Sequence, residues 1–157
     1  MPLDRTETAI ALIKGQEDGG QSDGPISSFL AQYVSVVLYA EMEEEIASVV
    51  RDHITSCSSA ALGLFIQGNM DGIIRRTPKS DIGKLVLQFG EAFKTAFEDK
   101  IDPSSVSRYS NVIAARHAVG HRQGSSITLA EVELGLAGAN LIISALKECG
   151  GFEKLWR

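Results

Sequence analysis

Large apolar residues recur at three- and four-residue intervals along most of the 157-residue chain, and sustained two-residue alternation is scarce. This period predicts an all-α fold, an antiparallel bundle of five or six helices with short connections, forming one domain over residues 1–157. From Leu3 to Lys14, Ala9, Ile10, Leu12 and Ile13 suit a short helix stopped by Gly15. Residues 15–24 hold four glycines and no large apolar side chain, the composition of a surface connection. Pro25 then fits the opening of a long helix to about Ser56. Phe29, Leu30, Tyr33, Val34, Val37 and Leu38 make its first half apolar on most sides, which predicts deep burial there. Its second half carries Glu41, Glu43, Glu44 and Glu45, the composition of a solvated face. A sharper alternative turns Glu41 or Glu45 inward to orient Arg116 or a histidine.

Further along, Ala60 to Ile66 reads as a short buried helix broken by residues 68–72. Ser80 is placed to cap a helix through Lys100 that buries Ile82, Leu85, Val86, Phe89, Phe93 and Phe97. Asp102 and Pro103 close it and begin the next, where Val106, Tyr109, Val112, Ile113 and Ala115 form a helical stripe over residues 104–121. Thr128 with Glu131 three residues later has the form of a capping box for a last helix to Cys149, stopped by Gly150 and Gly151. The small residues Gly135, Ala137, Gly138 and Ala139 invite close approach of another helix.

Composition is that of an ordinary soluble domain, with 44% hydrophobic and 22% charged residues. A formal net charge of −5 argues against a protein that coats DNA through its phosphates, because such binding rests on Lys and Arg. Cys57 and Cys149 match neither zinc nor redox spacing, and no charged-then-apolar leader opens the chain, so reduced thiols and a cytoplasmic setting are expected. The apolar window Phe29 to Ala40 is too short for a membrane span and carries Gln32 and Ser35, so no membrane role is expected.

Against this background residues 115–122 stand out, with Arg116, His117, His121 and Arg122 within seven positions. No acidic residue lies between Asp102 and Glu131, whereas Arg108, Arg116 and Arg122 supply fixed positive charge. The third histidine, His53, follows Arg51 and Asp52 and reads as structural or exposed. Histidines near their titration point beside a fixed cation offer a proton shuttle and an anion clamp, which suits a phosphodiester. On a regular helix Arg116 and His121 are separated by about 140°, whereas His117 and His121 share a face. Three readings follow. The two histidines begin a metal site completed by a carboxylate; Arg116 and His121 converge on a phosphate, through loosening at Gly120 or by pairing two chains; or the cations only cap a helix C-terminus.

Arg116-His117-Ala118-Val119-Gly120-His121 resembles the Arg-x4-His signature of the HEPN superfamily, helical-bundle proteins that include ribonucleases of toxin and antiphage systems. His117 matches the polar residue preferred after the arginine. The apolar helix before the motif, the polar loop after it and the final helix resemble the RiboL-PSP-HEPN branch. The resemblance implies that Arg116 and His121 are the catalytic pair, with His117 as the polar neighbour that positions or assists; His117 and Arg122 are expected to help bind substrate. It also implies a homodimer that cuts RNA with neither metal nor cofactor, leaving a 2′,3′-cyclic phosphate and a 5′-hydroxyl. An antitoxin or defence partner fits that setting, although Gln123 replaces the tyrosine of members silenced by adenylylation. A non-catalytic HEPN module that dimerises and binds RNA, a nucleotide or a partner protein is the alternative.

Overall fold

A computed structural model describes residues 3–17, 25–57, 79–120 and 127–149. The fold is an all-helical bundle, and no strand occurs among the described residues. Six helices are described: α1 (Asp4–Glu17), α2 (Pro25–Cys57), α3 (Lys79–Gln88), α4 (Glu91–Glu98), α5 (Pro103–Gly120) and α6 (Leu129–Cys149). The short helix expected near 60–66 and the glycine stop at 150–151 lie outside the described residues.

The described chain packs as two compact units. The first holds α1, the α2 residues up to Met42, α5 and the α6 residues up to Asn140. Ile10 and Ile13 of α1, Val34 and Leu38 of α2, Tyr109 and Val112 of α5 and Val132 of α6 are all buried there. α6 and α5 meet over glycine. A Cβ on Gly138 would run into the backbone carbonyl of Ser105, and one on Gly135 into Val112. Gly135 and Gly138 of α6 therefore serve packing within the chain, whereas Ala137 is exposed. At the far end of α1, Lys14 forms an ion pair with Glu133 of α6.

The second unit holds α2 from Glu43, then α3, α4 and α6 from Leu141. Its interior includes Ile46, Val50, Val86, Phe93, Phe97, Ile142 and Leu146. His53 is a core residue here, 8% exposed. Its Nε2 lies 2.8 Å from the Leu146 carbonyl oxygen, and Phe89 and Phe93 meet its ring edge-on at 6.2 and 6.1 Å. Lys147 reaches Glu45 at 3.4 Å, and Lys100 donates to Glu148 at 2.6 Å.

Several boundaries follow local chemistry. Asp102 caps α5, its Oδ2 accepting from the Ser105 N–H and hydroxyl at 2.9 Å each. Hydrogen bonds from Ser104 and Ser105 hold that exposed carboxyl well below the usual range. The capping box of α6 is formed: Thr128 N–H donates to Glu131 at 2.8 Å and Glu131 N–H to the Thr128 hydroxyl at 3.3 Å.

Four expectations are corrected. α1 continues through Gly15 to Glu17, because that glycine keeps a helical backbone and a Cβ there would meet nothing. The helix predicted over 80–100 is two, α3 and α4, broken at Gly90, whose φ of 102° only glycine adopts readily. The apolar first half of α2 is not buried all round: Ile26 is 75%, Phe29 71% and Tyr33 65% exposed. Finally, among the described residues the stretch long and apolar enough to span a bilayer by length and composition is α6 and not 29–40, with half of the qualifying window buried. A core helix meets the same criterion.

Candidate active site

α5 carries the motif as far as Gly120, and its faces divide the work. Val106, Tyr109, Val112 and Ile113 point into the first unit's core. Arg108, Asn111, Val112 and Ala115 line a cavity of about 210 Å³ together with Ile127, Glu131 and Leu134 from the start of α6. The backbone N–H and hydroxyl of Thr128 hold the Glu131 carboxyl below its usual range, so that wall stays ionised at neutral pH.

Arg116 is half-buried, and its Cζ sits 4.1 Å from the centroid of the Tyr39 ring. Tyr39, on α2, is itself 8% exposed, so this guanidinium rests on a fixed aromatic floor. Such a contact is worth about 0.5–2 kcal/mol and restrains a long side chain. A cation held in this way gives up less rotamer freedom when it binds.

The remaining motif residues are unequal in what is described. His117 lies on α5, which continues as helix through Gly120, but its side chain is outside the described set. His121 and Arg122 lie outside the described residues altogether. The structure therefore fixes one member of the predicted pair, Arg116. The metal reading depends on the His117 and His121 side chains; among the described residues there is no group of three or more His, Cys, Asp and Glu placed to hold an ion.

Glu41 does turn inward, at 4% exposure, but toward α1 and not toward Arg116. Its two oxygens accept from the backbone N–H groups of Arg5 and Thr6 at 2.8 Å each, from the Thr6 hydroxyl at 2.5 Å and from Arg5 Nε at 3.3 Å. It thus caps the first turn of α1 from a neighbouring helix. Burial pushes this carboxyl up, and the hydrogen bonds from Thr6 and Arg5 together outweigh it, leaving the pKa below the ordinary 4.5. Glu45 pairs with Lys147. The idea that either acid orients Arg116 is corrected, because helix capping and a lysine occupy them.

Tyr39 and the Asn111 side of the cavity are additions that the motif did not predict. Tyr39 is buried in an uninterrupted apolar run, and no spacing rule links it to a residue 77 positions later. Compared with family models, curated proteins and solved structures, the chain matches none.

Proposed function

We propose that the chain is a metal-independent endoribonuclease of the HEPN type, acting in a toxin or antiphage setting. The observation that carries the reading is Arg116, clamped 4.1 Å over the buried Tyr39 ring five residues before His121. The all-helical fold is the architecture that the resemblance implies. An arginine restrained against an aromatic ring is suited to bind non-bridging phosphate oxygens, and a histidine one motif-length on is suited to move protons.

In this mechanism the RNA 2′-hydroxyl loses its proton and attacks the adjacent phosphorus. The bond to the 5′-oxygen breaks, and that oxygen takes up a proton. His121 acts as general base or acid, and Arg116 stabilises the charge that builds on the phosphorane. His117 and Arg122 bind substrate, and a homodimer brings two islands into one groove, gathering local positive charge in an acidic protein.

Purified protein incubated with mixed RNAs in EDTA tests this. Wild type is expected to cleave and His121→Ala to lose at least a hundredfold in rate, in the range of about 10²–10⁴ for removing a proton-transfer group. Full activity in His121→Ala would refute the assignment, and RNA binding without cleavage by wild type would leave the non-catalytic module instead.

A further inference from the structure

The first unit presents a face that no described element covers. Along α2, Ile26, Phe29, Tyr33, Val36, Val37 and Ala40 fall within an arc of about 100°. Phe29, Tyr33 and Val36 are 71%, 65% and 40% exposed, and Leu12 of α1, beside them, is 67% exposed. Between the two helices runs a groove of about 680 Å³, lined by Ala9, Leu12, Tyr33, Val36, Val37 and Ala40 among others. An apolar stripe of this width normally faces a core.

We infer that this α1–α2 face is the contact by which two copies of the chain pair, related by a two-fold axis, each lodging Phe29 in the other's groove. Three observations favour a second copy. Residues 25–40 contain no charged side chain, and the two charged residues that line the groove, Asp4 and Arg5, are of opposite sign, so the face opposed to itself carries no net charge. Ridge and groove share one face: bulky, exposed Phe29 and Ile26 lie on the same stripe of α2 as the groove-lining Tyr33, Val36 and Ala40, and a two-fold axis requires a surface that complements itself. The area also fits. Ile26, Phe29, Tyr33, Val36 and Leu12 expose on the order of 700 Å² per copy, near the roughly 800 Å² that each partner contributes to a stable interface, and above the largest apolar patch of a typical monomer at about 300–600 Å². Gly135 and Gly138 of α6, already packed on α5, are not available for this role.

The inference names a contact for the homodimer of the proposed function and is argued from the apolar face, so it can fail while RNA cleavage stands. Light scattering after size exclusion, across a dilution series, reads it directly. Wild type is expected to be a dimer. Phe29→Glu and Tyr33→Glu are expected each to raise its dissociation constant about a hundredfold or more, because a carboxylate would be desolvated at the contact centre. Leu87→Glu, which changes an exposed apolar residue of the second unit, is expected to leave the dimer intact. Both α2 positions are largely solvent-exposed, so the helical circular dichroism of the monomeric variants should match wild type. A photo-crosslinking benzoylphenylalanine at position 29, in a mixture of light and isotope-labelled chains, should join the two copies at residues 9–12 or 33–40. A wild-type monomer at every concentration overturns the inference, whether or not it adsorbs to phospholipid vesicles. A dimer unaffected by Phe29→Glu and Tyr33→Glu, or one crosslinked elsewhere, does the same.

Discussion

Glu41 and Arg116 are both charged residues drawn partly or wholly out of water, and each is held by a different device. Glu41 accepts four hydrogen bonds from the first turn of α1. Removing it strands the buried Thr6 donors, so Glu41→Ala is expected to cost about 2–4 kcal/mol, measured by urea unfolding at neutral pH. The sign of the pH dependence follows from a pKa lowered on folding. Its contribution is complete above the unfolded value near 4.5 and fades as pH falls through the folded value, so the difference between wild type and Glu41→Ala should shrink in acid. An unchanged difference down to pH 3 would contradict that role. For Arg116 the device is the Tyr39 ring. Tyr39→Leu is expected to slow RNA cleavage by roughly 3- to 30-fold, the kinetic equivalent of one cation–π contact, and Tyr39→Phe to recover most of the rate. Equal losses in the two variants would show that the ring face is not what matters.

Elements were legible in the sequence where their signals are local. Pro25, the Asp102 cap and the Thr128–Glu131 box each act within one helical turn, and each begins a helix as predicted. The break at Gly90 was not legible, because Phe89, Phe93 and Phe97 keep helical spacing straight across it. The exposed face of α2 escaped for a related reason: periodicity reports which residues are apolar, not how many faces have neighbours. Among the four glutamates of α2, only the position of α1 selects Glu41 for burial. The motif itself was legible, and Tyr39 beneath Arg116 was not. Contact between α5 and α6 makes a prediction at this scale. Gly138→Ala should destabilise by about 1–3 kcal/mol despite the better helix propensity of alanine, since a Cβ there meets the Ser105 carbonyl. Gly83→Ala in α3, where a Cβ meets nothing, should instead stabilise by up to about 1 kcal/mol. Thermal unfolding of the two variants, side by side, separates packing from propensity, and similar shifts in both would refute the close approach.

For the molecule as a whole, a formal charge of −5 coexists with a stretch from residue 103 to 130 that holds only positive charges. RNA binding should therefore depend on few phosphate contacts and weaken less with added salt than that of a broadly basic protein. The central claim is that the 2′-hydroxyl of RNA, and not water, attacks the phosphate. Mass spectrometry of the ends left on a defined oligoribonucleotide cut in EDTA tests it most directly. A 2′,3′-cyclic phosphate and a 5′-hydroxyl, both lost with Arg116→Ala, are the predicted result; a 3′-hydroxyl and a 5′-phosphate would contradict it.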